Sequence, residues 1–260
     1  MLEALDLSRE LSKTDYKEQL PELQRRLHQL QRACWKEKLA TLVVLEGWDA
    51  SGKGSVISKI TQRLEPRGFS LHAIREPRTF ESLLPWMWRF WAKLPNWGEI
   101  AIFDHSWYSR VLEERVDGLI EPVQWTQAFN DITAYEQALV DDRYLLAKLF
   151  LHIDEKEQAS RLKDLKSDPR TSWQVEPDDW TQNEHYDDYR LAVEEMLERT
   201  ETEWGPWTLV ASTDHRWTRV RVLQAIIEVM EEGLERHGCE VPGFDKIDDD
   251  DDDDDDEEDY

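Results

Sequence analysis

Short apolar runs alternate along the chain with longer segments in which apolar residues recur every three or four positions. The runs are rich in Val, Ile, Leu and Phe, as are strands that are buried on both faces of a parallel sheet. The pattern therefore predicts five strands. They lie at Thr41–Glu46, Phe69–Ile74, Glu99–Asp104, Leu145–Ile153 and Trp207–Ala211.

Helices are predicted between these strands. Leu20, Leu23, Leu27 and Leu30 share one face of a long amphipathic helix that precedes the first strand. Strands that alternate with helices form a parallel sheet with helices on both faces, so we predict an α/β fold. The later helices are predicted at Lys53–Leu64, Phe80–Lys93, Trp107–Val116, Trp125–Asp141 and Arg219–Arg236.

The length of 260 residues suits one sizeable α/β domain and is a tight fit for two. We predict a single domain over residues 1–244. Within it, the highly charged helical stretch at about residues 155–199, interrupted near residues 168–178, is predicted to be a lid. Residues 245–260 include nine consecutive Asp, which repel one another and bury nothing, so a disordered acidic tail is predicted there.

Composition excludes several classes of protein. The formal net charge of -25 argues against broad binding of nucleic acid, which relies on a basic surface. Cys34 and Cys239 lie far apart and show neither a disulfide framework nor the spacing of a zinc site. The N-terminal segment lacks the apolar core of a signal sequence, and no apolar stretch reaches membrane-spanning length. We therefore expect a cytoplasmic protein with no membrane partner.

The strongest chemical signal is the segment GWDASGKGS, which lies between the first predicted strand and a helix. The glycines and the lysine have the spacing of a Walker A loop. In such a loop, backbone N–H groups surround phosphate oxygens, the helix N-terminus adds a positive dipole end, and the lysine neutralises the transferring phosphate. The predicted phosphate-binding residues are Gly47, Ala50, Ser51, Gly52, Lys53, Gly54 and Ser55.

Two acidic residues are candidate ligands of a metal ion. Gly54 stands where a Ser or Thr usually holds Mg²⁺, and Asp49 could replace that ligand directly or through a water molecule. Asp104 ends the third predicted strand, where a Walker B acid would lie, although a helix cap is an alternative role for it. We predict a Mg²⁺ site at Asp49 and Asp104.

Longer stretches of the chain resemble the polyphosphate kinase 2 family, among them LEGWDASGKGS, IFDHSWYSRVLEERV and HYDDYRLAVEEMLERTETEWGPW. The resemblance extends from about Leu23 to about Glu235. It implies a thymidylate-kinase-like P-loop fold, a Mg²⁺-dependent reaction, and an assembly of two or four identical chains. It also implies phosphoryl transfer between inorganic polyphosphate and a nucleoside mono- or diphosphate (AMP, ADP or GDP). The functional residues of the family correspond here to Asp49, Lys53 and Asp104.

Further cations are predicted to contact phosphates. The resemblance places Arg110 and Arg115 near the reacting groups, which makes them candidate catalytic residues. An acidic protein that binds a polyanion needs a local positive groove, because its overall field repels the substrate. We predict that this polyphosphate path is lined by Arg75, Arg78, Arg89 and Lys93, with a solvated helix face as the alternative role of the last two.

Three positions depart from the family pattern. His105 stands where the family has Arg, and a histidine is expected to be mostly neutral at pH 7. Leu165 and Gln174 also stand where the family has cations. Two other functions therefore stay open: a catalytically weakened member that binds polyphosphate or nucleotide, and a nucleotide kinase that uses ATP.

Overall fold

A computed structural model of the protein describes residues 1–175 and 177–243, so the acidic tail predicted at residues 245–260 lies outside the described residues. A five-stranded sheet of order β2-β3-β1-β4-β5 forms the centre, and every neighbouring pair of strands is parallel. All five predicted strands and the α/β fold are confirmed. The strands are β1 Ala40–Gly47, β2 Phe69–Ala73, β3 Ile100–Asp104, β4 Tyr144–His152 and β5 Trp207–Ala211.

Helices cover both faces of the sheet. One face packs against α1, α2 and α9, and the other packs against α5 and α8. Single turns of 3-10 helix occur at Leu2–Ala4, Pro66–Gly68, Glu81–Leu83, Trp107–Arg110 and Ser172–Gln174. The α-helices are α1 Lys13–Glu37, α2 Lys53–Thr61, α3 Trp88–Trp91, α4 Glu113–Val116, α5 Pro122–Asp141, α6 Glu155–Ser167, α7 Pro177–Glu184, α8 Tyr186–Thr200 and α9 His215–Arg236.

Strand β1 shows why the apolar runs lack polar positions. Leu42 and Val44 belong to the core on the α5 side, whereas Val43 and Leu45 belong to the core on the α1 side. Successive side chains of a strand point to opposite faces, and both faces of this strand are covered. A continuous apolar run is therefore what a central strand of this fold requires.

The predicted single helix at Phe80–Lys93 is wrong. Only Glu81–Leu83 and Trp88–Trp91 are helical, and Leu84 between them has an extended backbone with φ −117° and ψ 162°. Pro85 explains the break, because a proline has no N–H to donate and disfavours the helical conformation of the residue before it.

The predicted helix at Trp107–Val116 is also divided. A 3-10 turn at Trp107–Arg110 and the short helix α4 are separated by Leu112, whose φ of −108° and ψ of −97° are not helical. Helix α9 begins at His215 rather than at Arg219, because the Asp214 side chain caps it by accepting a hydrogen bond from the Trp217 backbone N–H.

The order of the strands determines where a ligand can bind. The carboxyl ends of β1 and β3 lie side by side, with Leu45 paired to Asp104. In open parallel sheets, ligands bind beyond the carboxyl ends of the strands, where the order of the strands reverses. The Walker A segment and Asp104 therefore meet at one edge of the sheet. None of the helices in the described part of the chain is both long and apolar enough to cross a bilayer.

Candidate active site

The segment after β1, which is the predicted phosphate-binding loop, forms a tight turn whose glycines are required by its geometry. Gly47 has a φ of +144°, and a Cβ atom at this position would lie 2.5 Å from the carbonyl oxygen of Leu151. Gly52 has a φ of +101° and directly precedes the first residue of α2. Only glycine adopts such backbone angles freely. The loop therefore places the N-terminus of α2 beside the carboxyl ends of the strands.

Lys53 folds back over this loop. Its Nζ donates hydrogen bonds to the carbonyl oxygens of Gly47 at 2.7 Å and Trp48 at 3.1 Å, and it lies 3.8 Å from Asp49 Oδ1. The side chain is largely buried. The ammonium group is thus held in place by the loop itself.

Trp48, also in the loop, belongs to the hydrophobic core. Its ring is 1% exposed and stacks on Tyr186 with 4.1 Å between ring centroids. The indole N–H donates to Nδ1 of His152 at 2.8 Å. A nucleotide base therefore cannot stack on Trp48 in this conformation. The same contact requires His152 to be neutral, and burial lowers the pKa of its imidazole to about 4.

We expect acid to destabilise the fold through His152. Between about pH 4 and pH 6.5 the unfolded chain binds a proton that folded His152 does not, so stability falls as pH falls through this window. From pH 7 to pH 5, the free energy of unfolding should drop by about 2 kcal/mol more in the natural protein than in His152→Asn. Urea unfolding at both pH values measures this difference. An equally large difference for His185→Asn, the control, would contradict the assignment.

Asp104 lies at the end of β3 with an unsatisfied carboxylate oxygen. Its Oδ1 atom is buried and has no hydrogen-bond partner among the described residues. A buried carboxylate oxygen without a partner is costly unless a cation meets it. Asp49 faces the same cleft from the loop, where its backbone N–H donates to Gln182 Oε1 at 2.8 Å. These two carboxylates therefore suit a hard divalent cation.

His105 follows Asp104 and lies between two glutamates. Its Nδ1 is 3.3 Å from Glu113 Oε1 and 3.7 Å from Glu46 Oε2. Burial and the charge of Lys53 lower the pKa of this histidine, but the hydrogen bond and charge of Glu113 and the charge of Glu46 outweigh them and raise it to about 9. The expectation of a mostly neutral His105 at pH 7 is therefore wrong, because the sequence does not reveal the two flanking carboxylates. The site keeps a cation at this position.

Of the two arginines predicted to be catalytic, only Arg110 lies at the cleft. Its Nη1 contacts Glu114 Oε2 at 2.5 Å. Arg115 points toward α8 instead, where its Nη2 lies 2.7 Å from Glu195 and its guanidinium covers the Trp125 ring at 4.0 Å. The structure thus brings Arg110, but not Arg115, together with the phosphate-binding loop.

The four predicted path residues lie in two environments. Arg75 and Arg89 line the cleft, and Arg75 is exposed there. Arg89 is mostly buried and donates to the Arg75 carbonyl oxygen at 2.5 Å. Lys93 pairs with buried Glu81 at 3.4 Å, and Arg78 is exposed; both lie outside the cleft lining described by the structure. Arg75 is therefore the best placed of the four to meet a polyanion.

Arg161 of α6 is a site residue that the sequence pattern did not indicate. Its Nη1 donates to the carbonyl oxygens of Ala50 and Ser51 in the loop, at 3.1 and 3.3 Å. Its Nη2 donates to the carbonyl oxygens of Ser212 and Thr213 after β5, at 2.8 and 2.7 Å. One guanidinium therefore joins the loop to the segment that follows β5. Within the highly charged stretch of α6, no sequence signal distinguished this arginine from its neighbours.

A second arginine outside the predicted set holds the start of α2. Arg219 of α9 donates to Ser55 Oγ from Nε at 2.8 Å and from Nη2 at 2.6 Å. Arg219 lines the same cleft as Lys53. The loop is thus held by α6, α7 and α9 as well as by β1.

The side chain of Gln174, one of the departures from the family pattern, lies outside the described residues, and Leu165 lines the cleft.

The cleft at this edge of the sheet is large and acidic. Its volume is about 2580 Å³, whereas pockets for drug-sized ligands occupy roughly 300–1,000 Å³. It extends from the loop past Arg75 on one side and along α6 and α7 on the other. Among the described residues, ten Asp and Glu and six Lys and Arg line it. Added cations would favour the binding of a polyanion in a cleft of this charge.

Comparisons with known proteins agree with this geometry. A family model described as Polyphosphate kinase 2 matches residues 10–237. A polyphosphate:AMP phosphotransferase of Pseudomonas syringae pv. tomato is 39% identical over 236 residues, which cover 91% of this chain and 47% of the relative. A GDP-polyphosphate phosphotransferase of Mycolicibacterium smegmatis is 35% identical over 217 residues, which cover 84% of this chain and 77% of the relative.

Solved structures show the same fold. The crystal structure of polyphosphate kinase 2 from Arthrobacter aurescens superposes with a TM-score of 0.86 at 27% identity, covering 95% of this chain and 89% of that one. The five-stranded parallel sheet with its flanking helices is thus a P-loop kinase fold. The chain spans about half the length of the polyphosphate:AMP phosphotransferases that it matches.

Proposed function

The chain belongs to the polyphosphate kinase 2 family, and we propose that it transfers a phosphoryl group between inorganic polyphosphate and a nucleoside mono- or diphosphate. The observation that carries the proposal is that Lys53 and Asp104 line one large cleft. Matched relatives named for transfer to AMP, ADP and GDP support the class of acceptor.

In the proposed reaction the protein aligns phosphates and stabilises charge, since phosphoryl transfer asks for little covalent chemistry from side chains. The loop N–H groups and Lys53 hold the transferring phosphate. Arg110 offers a guanidinium in the same cleft, and forked hydrogen bonds from arginine suit phosphate oxygens. Arg161 keeps the loop carbonyls turned away from the phosphate, because it donates hydrogen bonds to two of them.

Asp49 and Asp104 are the residues that would hold Mg²⁺, as the unpartnered Oδ1 of Asp104 suggests. When bound, this ion supplies positive charge that neutralises the phosphate oxygens. Because carboxylates are in excess in the cleft, such added charge would favour the entry of a polyanion.

Three further features are part of the proposal. The α6–α8 segment acts as a lid, since α6 and α7 form one wall of the cleft. The chain works in the cytoplasm, which its two free cysteines favour. It assembles as a homodimer or homotetramer, which light scattering on the purified protein would test.

Replacing Arg75 with Ala should weaken binding of polyphosphate. Loss of one exposed, charged contact to phosphate costs about 1 kcal/mol, which is roughly a 5-fold rise in the KM for long-chain polyphosphate. Because the contact is electrostatic, the difference should shrink as ionic strength rises. Initial rates at fixed ADP, measured at two salt concentrations, check both statements. The control is Arg67→Ala, which removes an exposed arginine paired with Glu65 away from the cleft; an equal effect there would contradict the assignment.

The proposed function is tested by supplying the purified protein with Mg²⁺, long-chain polyphosphate, and AMP, ADP or GDP in separate reactions. Formation of the next higher phosphate, dependent on both Mg²⁺ and polyphosphate, supports the transferase. Product formed from ATP without polyphosphate supports the ATP-dependent kinase instead. Binding of polyphosphate without product from any acceptor supports the catalytically weakened member.

A further inference from the structure

A second group of possible ligands lies beside the Walker carboxylates. One nitrogen of His105 and one carboxylate oxygen each of Glu46 and Glu113 lie within 4.8 Å of one another. These three residues come from the end of β1, the turn after β3 and the first residue of α4. His105 holds its ring there with a left-handed backbone, φ +57°. Such a conformation is uncommon for a residue other than glycine, and backbone strain of this kind clusters at functional sites.

The group contains a buried oxygen that lacks a partner. Glu46 is completely buried, and its Oε1 accepts a hydrogen bond from Ser106 Oγ at 2.6 Å. Its Oε2 faces Nδ1 of His105 at 3.7 Å and has no hydrogen-bond partner among the described residues. Oε2 of Glu113 is likewise buried and without a hydrogen bond in the described part of the chain. Two buried carboxylate oxygens without hydrogen bonds to the described residues, beside one imidazole, suit a metal ion that replaces the proton of His105.

We propose that Glu46, His105 and Glu113 bind a divalent transition-metal ion at a site separate from the Mg²⁺ site of Asp49 and Asp104. An imidazole nitrogen with two carboxylates suits Mn²⁺ or Zn²⁺, whereas Mg²⁺ prefers oxygen ligands alone. The hydrogen bond from Ser106 orients the Glu46 carboxylate, as outer-shell partners of metal ligands commonly do.

The ion can reach this site from the cleft. His105 and Glu113 both line the cleft, and their side chains are 23% and 29% exposed. Water molecules from the cleft can therefore complete the coordination. Lys53 is the nearby charge that opposes the ion, but its ammonium is turned toward the carbonyl oxygens of Gly47 and Trp48.

The test uses Mn²⁺ as the probe, added in substoichiometric amount to the full, metal-stripped chain without nucleotide or polyphosphate. Electron spin-echo spectroscopy detects a ¹⁴N nucleus that is bound directly to Mn²⁺. We expect ¹⁴N coupling from His105. The acidic run Asp248–Asp256 offers only carboxylate oxygens and cannot produce this signal. The measurement thus separates the proposed site from weak binding elsewhere on an acidic chain.

Matched variants identify the ligands. His105→Asn should abolish the ¹⁴N coupling while keeping the backbone, because Asn tolerates the left-handed conformation. His185→Asn, which removes another histidine of the cleft, should keep it. Glu113→Gln should weaken Mn²⁺ binding at least about 10-fold, since loss of even the outer-shell partner of a metal ligand commonly costs 10- to 100-fold in affinity. Circular dichroism establishes that each variant is folded. If His105→Asn does not fold, the loss of Mn²⁺ affinity in Glu113→Gln tests the site instead.

Two results would overturn the proposal. Absence of ¹⁴N coupling from the natural protein would show that a proton alone, on His105, bridges the two glutamates. Loss of the coupling in Asp104→Asn would show a single ion shared with Asp104 instead of a separate site. Retention of the coupling in Asp104→Asn supports two sites. These outcomes are independent of polyphosphate turnover, so failure here leaves the proposed function standing.

Discussion

Replacing Lys53 with Ala is expected to lower kcat for polyphosphate-dependent phosphorylation by on the order of 1000-fold or more. The ammonium is the cation held nearest to the loop in which the transferring phosphate is proposed to lie. Charge develops on that phosphate in the transition state, and a preplaced cation stabilises it without reorganisation. Rates are measured at saturating polyphosphate and nucleotide, so that a loss of binding is not mistaken for a loss of kcat.

Lys59→Ala is the matched control for this experiment. Lys59 lies on the same helix, α2, and its Nζ makes an exposed hydrogen bond to Gln62. We expect this substitution to change kcat only about 2-fold or less, because substitutions at exposed positions usually have effects within about 0.5 kcal/mol. Turnover by Lys53→Ala within 10-fold of the natural rate would show that the loop does not hold the transferring phosphate.

Replacing Asp104 with Asn is expected to lower kcat by a similar factor while leaving the stability of the fold almost unchanged. Loss of the charge removes a proposed Mg²⁺ ligand, and metal charge contributes several kcal/mol to such transition states. Among the described residues Oδ1 has no hydrogen-bond partner to lose, so the free energy of unfolding without Mg²⁺ should fall by no more than about 0.5 kcal/mol. Urea unfolding and steady-state rates measure the two halves of this prediction.

Asp141→Asn is the control, because it makes the same change at the exposed end of α5. It should alter neither kcat nor the free energy of unfolding. A loss of several kcal/mol of stability in Asp104→Asn would mean that the carboxylate has a structural role, such as the helix cap that the sequence also allows. Restoration of the Asp104→Asn rate by higher Mg²⁺ would indicate that Asp104 aids binding of the ion and not the chemistry.

The sheet could be predicted from the sequence because a strand that is buried on both faces appears as a continuous apolar run. A strand such as β1 must be apolar at every position, and the loop after it needs glycines at two particular backbone angles. These are local requirements. The position of Asp104 was predictable for a related reason, since it ends a run that could only be a buried strand.

The helices around the cleft were less predictable, because single residues overrode the apolar periodicity. Pro85 divides one predicted helix, although the aromatic spacing on either side of it continues. Leu112 divides another with a backbone conformation that nothing in its own side chain dictates. The first break is a local effect of Pro85 on the residue before it, and the second has no local cause in the sequence; apolar periodicity indicates neither.

The electrostatics of the site depend on pairs that the sequence does not connect. Arg115 could be assigned to phosphate by its motif, but its guanidinium lies against Glu195, eighty positions later. His105 was expected to be neutral until the structure placed Glu46 and Glu113 around it. The sequence shows how many charges a segment carries, whereas their pKa values and partners depend on distances of a few ångströms.

The hydrogen bonds of Arg161 make the phosphate-binding loop a poor candidate for transplantation between proteins. A protein engineer who moves residues 47–55 into another scaffold leaves behind the guanidinium that joins Ala50 and Ser51 to Ser212 and Thr213. The transplanted segment would keep its sequence but lose its outside support. Chimaeras of this family should therefore take α6, the loop and the turn after β5 from the same parent.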